Sequence, residues 1–192
     1  LLISFGILIS TPLFALSSDK NSGFEKVYMT HNEALDFVFP DTDTISSRDI
    51  VLVPDLKRTI QEALHRRVPE SSITLYTGLK DTTETGYALI LEELGKHYPM
   101  TFIVGITPQF KVKRVALMVY REKIGHQVRK KRFLKQFFGK RSDSTLAVNQ
   151  DIINVSGATI SSWAMTAGVK KALVITEKVV PYEAQSTATS SL

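Results

Sequence analysis

The sequence predicts an α+β fold, a single domain whose mainly antiparallel sheet is packed with helices. Three observations predict it. Four strand-like runs follow one another over 72–77, 86–92, 100–106 and 111–120, with only short polar or proline-containing turns between them. Helical patterns stand before and after this block instead of alternating with its members, which argues against a doubly wound sheet. The 192 residues, 43% of them hydrophobic, suffice for one substantial core.

In chain order, residues 1–16 form an uncharged, mainly apolar run that stops at Ser17, Ser18, Asp19 and Lys20. Two readings stand for it, a cleaved export signal ending at Ala15-Leu16-Ser17 or an N-terminal anchor. Both place the remaining domain outside the cytoplasm, in the periplasm or on the outer face of the cytoplasmic membrane, and argue against nucleic acid as a partner. A helix is expected over 31–39, ended by Pro40. A second is expected over 55–68, with Leu56, Ile60, Ala63 and Leu64 on one face, Arg66 and Arg67 in its last turn and Pro69 beyond.

The strands then begin, and the last two are expected to form a hairpin around Thr107, Pro108 and Gln109. Phe102, Val104 and Ile106 alternate with Thr101, Ile103 and Gly105, and 115–120 is apolar on both sides, so one face packs on helices and part of the other is shielded. Over 122–139, Val128, Phe133, Leu134, Phe137 and Phe138 alternate with Arg129, Lys130, Lys131, Arg132 and Lys135, which predicts a helix closed by Gly139. Its basic face is either a solvated surface or a docking face for an acidic protein partner or anionic lipid headgroups. Residues 148–155 read as extended, and Met165, Val169, Ala172 and Leu173 recur at helical spacing, so a helix begins near Thr159. The expected organisation is a signal peptide or anchor over 1–17, a helical or extended region over 18–70, one binding domain over 71–182 and a disordered tail over 183–192.

A formal charge of +5 suits an acidic protein, an anionic membrane surface or nucleic acid as partner and decides between none of them alone. With no cysteine, disulfides, thiolate chemistry, cysteine-ligated zinc and iron–sulfur clusters are excluded. His31, His65, His97 and His126 are widely separated, so no metal site is expected. Glu92 and Glu93, as neighbours on a strand, point to opposite faces and make no acid–base pair. No phosphate loop or Gly-x-Gly-x-x-Gly element is present.

The chemistry concentrates in Ser156-Gly157-Ala158-Thr159, at the start of the last helix. Unpaired N–H groups and the positive helix end converge there, Gly157 and Ala158 leave room for a phosphate, and Ser156, Thr159, Ser161 and Ser162 offer hydroxyls. The alternative reading of the same residues is helix capping. Trp163 and Tyr87 are aromatic candidates for ring contacts, with core burial as the competing expectation.

The run Asp151-Ile152-Ile153-Asn154-Val155-Ser156-Gly157-Ala158-Thr159-Ile160-Ser161-Ser162 closely resembles the flavinylation motif of the FMN-binding domain family. That family includes the flavin subunits of sodium-pumping quinone reductases and related membrane redox complexes. Phe102-Ile103-Val104-Gly105-Ile106, Val115-Ala116-Leu117-Met118-Val119, Glu122, Gly125, Phe133, Gln136-Phe137 and Gly139-Lys140 stand in the order expected of it, so the resemblance spans about 85–176. It implies FMN joined to Thr159 by a phosphodiester that a separate flavin transferase forms. The implied cofactor-binding residues are Thr159, Ser156, Gly157, Ala158, Ser161, Ser162, Glu122 and Gly125, with no catalytic residue of the chain's own. The implied role is electron carriage between redox proteins, including membrane-bound ones. The competing expectation is a non-redox binding domain of the same fold, not flavinylated, that uses its basic helix for a protein or membrane partner.

Overall fold

The structure, a computed structural model, describes residues 24–189. The expected signal or anchor over 1–17 lies outside the described residues. Six strands form one antiparallel sheet: β1 Lys26–Val27, β2 Thr44–Val51, β3 Ser72–Lys80, β4 Thr83–Leu94, β5 Pro99–Ile106 and β6 Val112–Tyr120, in the spatial order β1-β6-β5-β4-β3-β2. The helices are α1 His31–Val38, α2 Pro54–Leu64, α3 Lys131–Leu134 and α4 Thr159–Thr189. The fold is α+β, as the run of consecutive strands requires.

Local chemistry sets the element ends. Thr30 and Glu33 form a capping box, with the Thr30 N–H donating to Glu33 Oε2 at 2.7 Å, so α1 starts at His31. Pro54 opens α2, where its missing N–H costs nothing, and His65 closes it in the left-handed region at φ 51°. The helix therefore stops short of the 55–68 expected. Arg66 leaves it to donate to Glu93 at 2.7 Å, and the expected hairpin closes as the Thr107 N–H donates to Lys111 O at 2.8 Å.

Both faces of the sheet are covered. α4 and α2 lie on one, where Phe102, Met165, Val169, Leu173 and Ile175 are fully buried. α1 covers part of the other through Ala34 and Val38, against Ile103, Ala116 and Met118. Burying each such large side chain contributes about 1.5–3 kcal/mol, so the opposed apolar faces of β5 and β6 fix their register.

Four further expectations give way to the structure. Residues 44–51, within the region expected to precede the binding domain, pair with β3 through eight register positions as an edge strand of the same sheet. The helix expected over 122–139 is broken into a 3-10 turn at His126–Arg129, α3, and a 3-10 turn at Lys135–Phe137. Lys130 interrupts it with extended backbone, at φ −64° and ψ 136°. Residues 148–152 form a turn closed by a Val148–Ile152 bridge, with Asn149 at φ 67°, so 148–155 is not a continuous extended approach. α4 runs on through Thr189, so helical backbone occupies 183–189, expected as tail.

Candidate functional site

The end of β6 and the start of α4 meet at Tyr120. Its phenol donates to Ile124 O at 2.7 Å and lies 2.8 Å from the Ser161 hydroxyl, which must then be the donor to Tyr120 Oη. Gly125 sits beneath this contact at φ 107°, and a Cβ there would overlap both oxygens. Burial pushes the Tyr120 phenol up, so it stays a neutral donor.

These contacts hold open a cleft of ≈ 700 Å³ between the β4–β5 turn, the loop after β6 and the first turn of α4. Its walls include Lys96, Arg121, Lys123, Ile124, Gly157 and Thr159. Glu122 ties two of the walls together, its Oε1 accepting from the His97 and Tyr98 N–H groups at 2.8 and 3.2 Å. The buried Arg121 guanidinium is committed to Glu25, Pro99 O and Thr101 at 2.9–3.0 Å. Lys96 and Lys123 are exposed and leave the cleft mouth positive.

Thr159 is the exposed first residue of α4. Its Oγ1 accepts from Asn154 Nδ2 at 3.1 Å. Because the first intrahelical bond runs from Ser162 N to Ala158 O at 2.8 Å, the N–H groups of Thr159, Ile160 and Ser161 precede it. Gly157, at φ 75°, has no atom of the described residues within 4 Å of the place a Cβ would take, which leaves the backbone open to a ligand.

The other hydroxyls are arranged differently from the sequence expectation. Ser161 lines the cleft but is bonded to Tyr120, and Ser162 is fully buried, donating to Ala158 O at 2.9 Å and accepting from Val155 N at 3.3 Å. Ser156 is exposed in a neighbouring cleft of ≈ 480 Å³ beside Lys130, Arg132 and Asn154. The structure thus gathers Thr159, Gly157, Ala158, Ser161, Glu122 and Gly125 around one cleft and sets Ser156 and Ser162 outside it. Tyr87 is buried, as core packing requires, whereas Trp163 is 59% exposed, one turn beyond Thr159 on the same helix face.

The turn before the motif is fastened at two points. Gln136 accepts from Ile153 N at 2.7 Å and donates to Ile153 O at 3.2 Å. Asp151 accepts from Lys140 Nζ at 2.8 Å and from Leu146 N and Ala147 N at 3.1 and 2.8 Å. Burial pushes the Asp151 carboxyl up, but these bonds outweigh it and hold the group below its usual range. Sequence reasoning missed the Lys96-His97-Tyr98 turn as a cleft wall, since no residue pattern in it signals a ligand.

The site fits a phosphorylated planar ligand. Its volume lies within the range of small-molecule sites, about 300–1,000 Å³. Helix N–H groups and two lysines suit a phosphate, and the exposed Ile124 and Ile160 at its walls offer apolar surface to a ring.

Residues 95–174 match the family model described as the FMN-binding domain. Every residue that lines the cleft except Phe24 falls within that span. Among solved structures, the fold is similar to the crystal structure of Shewanella oneidensis NqrC, with a TM-score of 0.52 and 13% identity over 78% of this chain and 89% of that one. No curated protein matches the sequence.

Proposed function

We propose, from the premise that residues 95–174 belong to the FMN-binding domain family, that this chain is an electron-transfer domain outside the cytoplasm with FMN attached through a phosphodiester to Thr159. The observation that carries the reading is the position of the Thr159 hydroxyl, exposed at the head of α4 and at the wall of a cleft with a positive mouth. Bound there, FMN supplies the redox chemistry.

The chain's own residues position and hold. A threonine hydroxyl is a poor nucleophile without a base, and no His, Asp or Glu side chain is bonded to Thr159 among the described residues. A separate flavin transferase supplies the activation and reaches the hydroxyl from solvent. Asn154 donates to Thr159 Oγ1, which leaves the hydroxyl proton directed away and available for removal by the transferase. The threonine oxygen bonds to the phosphorus of an activated flavin-phosphate anhydride as the anhydride P–O bond breaks, its other phosphate group leaving with the transferase. The α4 N–H groups, Lys96 and Lys123 then face the phosphate charge, and Ile124, Ile160 and Trp163 present apolar surface at the cleft and beside it.

Redox proteins, including membrane-bound ones, are the proposed partners. The apolar run over 1–16 supports placement outside the cytoplasm. The test is the colour of the protein produced with a flavin transferase and then denatured and desalted. Blue and near-ultraviolet absorption that stays with the chain supports covalent FMN, and absorption that leaves with the small molecules supports binding without attachment. A colourless protein, beside a control substrate that the same transferase modifies, overturns the proposal in favour of an unflavinylated binding domain.

A further inference from the structure

A second groove, of ≈ 960 Å³, runs along β6 on the flank away from β5, and it touches every residue from Val112 to Leu117 in turn. Consecutive strand residues point to opposite faces, so a groove that meets six in a row follows the strand's edge and not one of its faces.

That edge has no strand partner over its middle among the described residues. β1 pairs only with Val119 and Tyr120, and the Tyr28 and Met29 N–H groups donate to Met118 O at 2.8 and 3.3 Å. At the other end, Val112 exchanges bonds of 2.9 Å with Gly139 and Lys140. Among the described residues, no strand pairs with 113–117 on this side. Such an edge presents backbone N–H and C=O groups as a template for another chain.

The walls select the chemistry of that chain. Lys113, Arg114, Arg129, Lys131 and Lys135 line the groove, and among the described residues no Asp or Glu does. Among the described residues none of these five forms an ion pair. Two of them are braced without neutralisation: Arg114 donates to Phe37 O at 2.6 Å, and the Arg129 guanidinium lies 4.9 Å from the Tyr28 ring centroid. Phe138, 72% exposed, and Leu134 add apolar surface. Lysines on an edge repel a second copy of the same edge and attract a strand of opposite charge.

We propose that the β6 edge captures an extended acidic segment of a partner protein, which adds as a strand beside 113–117 and places apolar side chains on Leu134 and Phe138 and carboxylates on the cations. Backbone pairing supplies the affinity and the pockets the choice of sequence. A bilayer matches less well, because lipid cannot pair with strand N–H and C=O groups. The inference is independent of the flavin site.

The test uses the full chain and a fluorescein-labelled octapeptide of alternating Asp and Val, with a central Val→Pro analogue, an alternating Lys and Val control and phosphatidylglycerol vesicles. The acidic peptide is expected to bind and to slow amide hydrogen exchange within 113–117. The proline analogue, the Lys131→Glu/Lys135→Glu variant and high salt should each weaken it by about tenfold or more. Phe138→Ser, at an exposed position that the fold does not need, should weaken it several-fold. Failure of the acidic peptide to bind, equal binding of its proline analogue, or binding without protection of 113–117 overturns the proposal, and vesicle binding in place of peptide binding assigns the surface to membrane.

Discussion

Asn154 Nδ2 donates to Thr159 Oγ1 at 3.1 Å across the turn that leads into α4, while Asn154 Oδ1 is buried with no hydrogen-bond partner among the described residues. An unpaired buried acceptor costs about 1–3 kcal/mol. The Asn154 amide thus acts on the orientation of one hydroxyl.

Asn154→Ala removes both the bond and the unpaired acceptor. Its stability is expected to stay within about 1 kcal/mol of the parent, while the rate of flavin attachment by the transferase falls. Timed intact-mass measurements beside a denaturant titration separate the two effects, and an unchanged attachment rate would show that the bond has no positioning role.

Gly125→Ala places a methyl group against Tyr120 Oη and Ser161 Oγ, at a backbone φ of 107° that side chains rarely adopt. Destabilisation of about 2 kcal/mol or more is expected, together with loss of the cleft shape. A chemical denaturation midpoint equal to the parent's would contradict the account of this junction.

Gln136→Ala frees both backbone groups of Ile153, which the amide now holds at 2.7 and 3.2 Å. Hydrogen exchange at the Ile153 N–H should quicken while exchange in β5 stays unchanged. Equal exchange in variant and parent would mean that the turn is held without this clamp.

Glu93 carries the acid dependence of the α2–β4–α4 junction. Burial pushes its carboxyl up, but Arg66 at 2.7 Å and Lys171 at 2.8 Å outweigh that and hold it below its usual 4.5. A lowered folded value means stability that is fully present above about pH 4.5 and is lost as the pH falls below it, through the folded value. Glu93→Gln should flatten the fall in stability below pH 4.5, and an acid denaturation curve parallel to the parent's would contradict the assignment.

The sequence-visible features are those whose signal is local. β3 to β6 follow from alternation and apolar runs, α1 from the helical stretch that Pro40 ends, and the start of α4 from the small residues ahead of a 3.6-residue period. β2 was not legible because Thr44–Val51 is an edge strand with only Ile50 buried, held by backbone pairing that leaves no hydrophobic pattern. The break in 122–139 was hidden because successive short turns and a continuous helix can bury the same aromatic residues.

The motif was legible as a chemical locus, but the division of labour among its hydroxyls was not. Whether Ser161 faces a ligand or Tyr120 depends on a contact 41 residues away in the chain, between β6 and α4. Trp163 reads as core by residue type, yet it shares the Thr159 face of α4 and is exposed. The Lys96 and Lys123 walls come together only when the β4–β5 turn meets the loop after β6, through Glu122.

The most direct measurement is the intact mass of the denatured parent and of Thr159→Val after coexpression with a flavin transferase, with the modified peptide mapped. The account predicts a parent heavier by one FMN less one water, modified on the peptide that contains Thr159, and a folded Thr159→Val protein of unmodified mass. An unmodified parent beside a modified control substrate, or covalent flavin retained by Thr159→Val, would contradict attachment at Thr159.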